Sequence, residues 1–142
     1  MVRVTRTIPA EPQAIFDVLA DPAMHPVIDG SGTVRTALPD NPTRLSPGAR
    51  FRMAMKQGAP YKVTNEVVEF NEGRRIAWRH GVHHVWRYIL QPADGGTRVT
   101  EEYDWGLSRA PWALNLLRYP QRAERSMTAT LERLEQVVTP TP

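Results

Sequence analysis

An α+β fold is what the 142-residue sequence predicts: a curved antiparallel sheet of about seven strands wrapped around a long C-terminal helix, with two short helices after the first strand. Three observations predict it. Between residues 49 and 105, short stretches alternate apolar and polar side chains at period two, and only a few turn-forming residues separate them. From about residue 109 to 137, apolar residues recur instead at three- and four-residue steps, the period of one helix face. A sheet with one apolar face must be covered, and this last segment is the only one large enough to cover it.

The elements follow in order. Residues 2–8 (VRVTRTI) alternate, with Val2, Val4, Arg6 and Ile8 opposite Arg3, Thr5 and Thr7, and read as an edge or half-buried strand. Pro9-Ala10-Glu11-Pro12 breaks the strand and opens a helix, because proline is tolerated in a first helical turn. Ala14, Ile15, Val18 and Leu19 form its apolar stripe, and Asp21-Pro22 ends it. Residues 22–27 suit a second short helix, and 33–38 a second strand. The three prolines of residues 39–48 mark a loop. Strands are then expected at about 49–57, 60–70, 74–80, 83–91 and 97–105, separated by Gly58-Ala59-Pro60, Asn71-Glu72-Gly73, Gly81 and Asp94-Gly95-Gly96. Such short separators make hairpins and an antiparallel meander. In 60–70 the facing is ambiguous, since Tyr61, Val63 and Val67 compete with Val68 and Phe70, and a bulge would reconcile them. Ser108 suits a cap for the last helix, with Pro111 in its first turn and Pro120 as a kink or break.

Composition narrows the function classes. The length fits one domain, residues 1–142. With no cysteine, the chain holds no disulfide scaffold, Cys-ligated zinc or cysteine nucleophile. The opening MVRVTRTIPA lacks the apolar core of a signal peptide, and no run approaches the ~18 apolar residues of a membrane span, so a cytoplasmic location is the expectation. The net charge of +3 is ordinary for a soluble domain. Arg118, Arg122, Arg125 and Arg133 are interleaved with Glu124, Glu132 and Glu135, a solvated mixed-charge face rather than the basic stripe that nucleic acid requires. No G-x-G-x-x-G, Walker or G-x-S-x-G motif is present, which argues against nucleotide chemistry and serine hydrolysis.

Three segments carry a resemblance. RTIPAEPQAIFDVLADP runs from a strand into a helix closing on L-A-D-P, WRYILQPADGGTRVTEEYDW joins two strands through Gly95-Gly96, and the long terminal helix follows. In order and spacing the chain resembles the START-like (SRPBCC) superfamily, the helix-grip fold of START domains, plant pathogenesis-related proteins and bacterial polyketide cyclase/dehydrase-type proteins. The resemblance covers nearly the whole chain. That superfamily spans lipid carriers, hormone receptors, aromatase/cyclases and hydroxylase domains, so the resemblance implies the fold more than an activity. A curved sheet leaning on one helix leaves a concavity for a small ligand, and no cofactor is expected. The segments that carry it are scaffold signatures and assign no catalytic residue.

Strand parity nominates the inward-facing side chains. They are Phe51, Met53 and Met55; Ile76, Trp78 and His80; His84, Trp86, Tyr88 and Leu90; and Thr97, Val99, Glu101, Tyr103 and Trp105. From the last helix Trp112, Leu116 and Tyr119 join them as ligand-binding candidates, beside Phe51, Met53, Met55, Trp78, His80, Trp86 and Tyr103. Aromatic and methionine side chains also fill ordinary cores. Trp78, Trp86, Tyr88 and Tyr103 with His80, His84 and Glu101 is, however, much polarity for a dry interior, and a wet cavity or a ligand would satisfy it. Glu101 is the sharpest candidate: a carboxyl in apolar surroundings has a raised pKa and suits acid–base work unless an arginine pairs it. Parity disfavours Arg79 and Arg87 as that partner and favours Arg118 or Arg122. His80 and His84 share a face, but no metal-ligand spacing accompanies them, so no metal site is expected. His25 is placed either at the pocket mouth or in solvent.

Three functions remain. The first is binding of an apolar or aromatic small molecule, lipid or polyketide-like. The second is cyclase, dehydratase or aromatase chemistry on a polyketide-like substrate, with Glu101, His84 and Tyr88 moving protons. The third is a structural or interaction domain with a closed pocket. A homodimer through an exposed Trp105 or Trp112 is a further expectation.

Overall fold

The structure is a computed structural model, and it describes residues 1–81, 84–105 and 119–139. Strand β1 spans Val2–Ile8, followed by helix α1 (Pro12–Leu19), a 3-10 turn (Pro22–Met24) and the short helix α2 (His25–Ile28). Strands β2 (Val34–Ala37), β3 (Arg50–Gln57), β4 (Ala59–Asn71), β5 (Arg75–His80), β6 (His84–Ala93) and β7 (Gly96–Asp104) precede the terminal helix α3, described over Tyr119–Val138. All strands pair antiparallel in one sheet of order β1-β7-β6-β5-β4-β3-β2. The expected α+β helix-grip architecture is therefore present.

Local chemistry explains the elements. Pro12 opens α1, where a missing N–H costs nothing. The Asp21 carboxylate accepts from the Ala23 N–H and caps the 3-10 turn. Residues 22–27, expected as one short helix, divide between that turn and α2, which runs on to Ile28. Of the separator Gly58-Ala59-Pro60, only Gly58, with φ of +79°, lies outside a strand. Ala59 and Pro60 belong to β4, and the turn is tighter than the sequence suggested.

The ambiguous facing of β4 has a physical resolution. The register shifts between Val67 and Glu69, leaving Val68 as the extra, exposed residue. Val67 before the bulge and Phe70 after it both face the core, and Phe70 meets Phe16 of α1 edge-on at 5.4 Å. Glu69 is thereby turned to the outer face.

The main core lies between the sheet, α1 and the C-terminal half of α3, built on Ile8, Ile15, Phe16, Leu19, Ile76, Val99, Leu131 and Leu134. A second cluster of Val2, Tyr103, Trp105, Ala123 and Met127 closes the end near the start of α3. Trp105 is buried there, so it offers no exposed dimer contact, contrary to expectation. Ser108, Pro111, Trp112 and the expected helix start lie outside the described residues. Pro120 is the second residue of the described part of α3.

The outer face of the sheet carries charge. Arg87 on β6 bonds Glu69 on β4 and, at 3.1 Å, Glu102 on β7; Glu102 also binds Arg3 on β1 at 2.6 Å. Arg87 and Arg75 hold the Glu69 carboxyl below its ordinary pKa. Burial pushes Glu102 up, but Arg3 and Arg87 outweigh it and its pKa is lowered.

Candidate functional site

Between the inner face of β3–β6, the loop after α2 and the polar stripe of α3 lies a cavity of about 570 Å³. Period-two alternation aims the wall into it. Phe51, Met53 and Met55 come from β3, Tyr61, Val63 and Asn65 from β4, Trp78 and His80 from β5, and Trp86 and Tyr88 from β6. From α3, Arg122, Ser126 and Thr130 recur at four-residue steps and close the opposite side. His25, Ile28 and Asp29 complete the wall at α2.

The deep end is an aromatic cluster. His25 stacks on Trp78 with ring centroids 4.6 Å apart and planes 21° apart, and Phe51 meets both rings edge-on. The His25 Nε2 lies 2.8 Å from the Leu19 carbonyl oxygen. Burial depresses the His25 pKa, so the ring is neutral at neutral pH. A neutral ring with Nε2–H donating to that carbonyl is the arrangement the contact implies. Tyr88 lies 5.6 Å from Trp78.

Behind Tyr88 stands Glu101. The two are directly opposite across β6 and β7, and their side chains hydrogen-bond. Glu101 is 2% exposed and is not part of the cavity wall. Among the described residues its Oε1 has no hydrogen-bond partner. Burial pushes its pKa up to about 8; the Tyr88 hydroxyl opposes the rise and the Asp29 charge adds to it. No arginine among the described residues pairs it: Arg79 binds Glu66, Arg87 binds Glu69 and Glu102, and Arg122 makes no ion pair there. Arg118 lies outside those residues. Glu101 is thus a neutral carboxylic acid at neutral pH, and burial with the nearby Glu101 lifts the Tyr88 hydroxyl well above its usual value.

The expected site residues divide accordingly. Phe51, Met53, Met55, Trp78, His80 and Trp86 are on the cavity wall. Tyr103 is not: Trp86 covers it at 4.1 Å, and it belongs to the second core cluster. His84 also stands off the wall, stacked on His80 at 5.0 Å with its Nδ1 against the Tyr103 hydroxyl. Burial and the neighbouring His84 lower the His80 pKa to about 4. Of Glu101, His84 and Tyr88, only Tyr88 reaches the cavity. Trp112 and Leu116 lie outside the described residues, and Tyr119 enters only as the first residue of α3.

Sequence reasoning missed Asn65, Asp29, Lys56, Tyr61 and Arg122. Asn65 and Tyr61 sit in the strand whose facing was ambiguous. Lys56 looked like a solvated surface charge and Arg122 like part of a mixed-charge face or a partner for Glu101, and only the fold brings the two to one cavity.

Comparison with known proteins agrees with this geometry. Residues 1–139 match the family model described as "Polyketide cyclase / dehydrase and lipid transport". The uncharacterized protein Rv0088 of Mycobacterium tuberculosis is 37% identical over 107 residues, covering 72% of this chain and 47% of that protein. The chain spans about half the length of the curated relatives it matches. Protein CV1439 from Chromobacterium violaceum is similar in fold, with a TM-score of 0.75 at 19% identity over 99% of this chain and 98% of the other. Protein Ms6760 from Mycobacterium smegmatis is similar with a TM-score of 0.72 at 20% identity, over 96% and 89% respectively. At these identities the likeness concerns the fold. With strand order, terminal helix and family match in accord, the chain belongs to the polyketide cyclase/dehydrase and lipid transport family of the START-like, helix-grip superfamily.

Proposed function

We propose that this chain binds an apolar or aromatic small molecule, lipid or polyketide-like, in the cavity between the sheet and α3. The observation that carries the reading is the wall itself. Phe51, Met53, Met55, Trp78 and Trp86 surround a space of about 570 Å³, within the ~300–1,000 Å³ range typical of small-molecule sites. Polar groups stand among them, His25, Asn65 and the Tyr88 hydroxyl on the strands and α2 and Ser126 and Thr130 on α3, and these can orient a ligand. The test is native mass spectrometry of the protein from its own cells, paired with fluorescence titration of the neutral probe 1-aminoanthracene. Binding of the probe, weakened about tenfold or more in Met55→Trp, which pushes a ring into the cavity, is the expected result. No retained molecule and no probe binding would overturn the reading.

A second reading is favoured by Tyr88 and Glu101. The Tyr88 hydroxyl lines the cavity and bonds the Glu101 carboxyl behind it. When that carboxyl is neutral the bond can reverse, the carboxyl donating to the phenol oxygen and freeing the phenol proton for a ligand carbonyl. Tyr88 would then be the group that touches substrate and Glu101 the proton source behind it, a fit to aldol closure or dehydration of a poly-β-ketone. Glu101→Gln should spare 1-aminoanthracene binding and abolish turnover of a soluble poly-β-ketone thioester. Undiminished turnover in that variant would reject the role. A third reading, a domain with a closed pocket, lacks support from a cavity of this size.

A further inference from the structure

Charge is unevenly managed in this molecule. On the outer face, Arg3, Arg75, Arg79 and Arg87 are each neutralised by Glu66, Glu69 or Glu102. On the cavity wall the pattern reverses. Lys56 from the end of β3 and Arg122 from α3 both line the cavity, and neither makes an ion pair among the described residues. The one carboxylate among the described wall residues, Asp29, is already engaged by its own loop: it accepts from the backbone N–H groups of Ser31, Gly32 and Val34 and from the Ser31 hydroxyl. The two histidines among the described wall residues, His25 and His80, are depressed in pKa by burial and add no charge at neutral pH.

The two cations approach the cavity from different elements, while Phe51, Met53 and Trp78 form its buried part. An apolar tail among the aromatic rings leaves any end group beside Lys56 and Arg122. Cations that are solvated in the empty cavity become less so when a ligand fills it, and their attraction for an opposite charge then grows. From this juxtaposition, and resting on the ligand-binding reading above, we infer that the ligand is an amphipathic anion: an apolar or aromatic body ending in a carboxylate or phosphate that Lys56 and Arg122 hold.

Competition against 1-aminoanthracene tests this with four compounds sharing one tail: dodecanoate, dodecyl phosphate, methyl dodecanoate and 1-dodecanol. In the wild type, dodecanoate or dodecyl phosphate should displace the probe about tenfold better than dodecanol, the size of one charge-assisted contact. The better of the two anions names the end group. The advantage should shrink as salt is raised. In Lys56→Gln/Arg122→Gln that advantage, taken as the ratio of anion to dodecanol displacement within the same variant, should fall to about twofold or less. Both side chains are exposed, so the melting temperature of the double variant should match the wild type. Equal displacement by dodecanol and the two anions, or an anion advantage that survives the double variant, would overturn the inference while leaving the cavity reading intact. Failure of the probe and all four compounds to bind would overturn both.

Discussion

Glu101 is a carboxyl that folding makes more basic. Its pKa rises from 4.5 to about 8 on burial, so the native state holds a proton that the unfolded chain releases. Stability from this group is full below pH 4.5, declines through the window between 4.5 and about 8, and is lost above it. The shift sets an upper bound of about 5 kcal/mol on the effect. Glu101→Gln keeps the shape and removes the titration, so urea unfolding at pH 6 and pH 9 should show a clear loss for the wild type and a flatter profile for the variant. Glu101 was legible as an inward carboxyl because Val99 and Tyr103 flank it at period two. That Tyr88 would stand between it and the cavity was not, since parity gives a direction and not a cross-strand register. His84 and Tyr103 failed as cavity residues for the same reason: the inner face is wider than the cavity, and the end under Trp86 is plain core.

Between elements, the α2–β2 loop lies close against α3. The Gly30 N–H donates to the Thr130 hydroxyl at 2.8 Å, and the Arg133 guanidinium donates to the Asp29 carbonyl. A Cβ at Gly30 would sit 2.4 Å from the Ser126 carbonyl oxygen and 2.6 Å from the Thr130 nitrogen, both backbone atoms of α3. Gly30→Ala must push loop from helix, and we expect a loss of about 1–3 kcal/mol in denaturant unfolding together with weaker probe binding, because both elements line the cavity. Thr130→Val, which leaves the space but removes the hydroxyl, should cost about 1 kcal/mol. On the opposite face of the sheet, Arg87→Met leaves Glu69 with Arg75 alone and the buried Glu102 with Arg3 alone, and should cost about 1–2 kcal/mol in chemical denaturation. Truncating the exposed Arg44, bound to Asp17 and Glu72, should cost less than about 1 kcal/mol in the same assay. Element boundaries were largely legible because strand alternation and turn residues are local signals. The split of residues 22–28 and the tight β3–β4 turn were not, since tertiary pairing decides both.

At the scale of the whole molecule, titrating groups oppose one another. Glu101 weakens the fold as pH rises from 4.5 to about 8. His25 and His80, both lowered from 6.5, weaken it as pH falls from 6.5, His80 over the window down to about 4. Maximum stability should therefore lie near pH 6, below the neutral range, which a series of melting curves from pH 4 to 9 will check. A maximum at pH 8 or above would contradict the placement of Glu101. The order of strands around one helix was legible because a single long amphipathic segment had to cover a single sheet. The cavity's charge was not, because Lys56 and Arg122 are 66 positions apart and ordinary in their own contexts. The ladder of Arg3, Glu102, Arg87 and Glu69 ties β1, β7, β6 and β4 together from the side that no ligand touches. Because that clamp is independent of the inner wall, substitutions at the half-buried wall residues Met55 or Trp86 leave it in place, whereas the fully buried Phe51 also belongs to the core. A lineage built this way is free to trade one ligand for another by drift on one face while inheriting its architecture on the other.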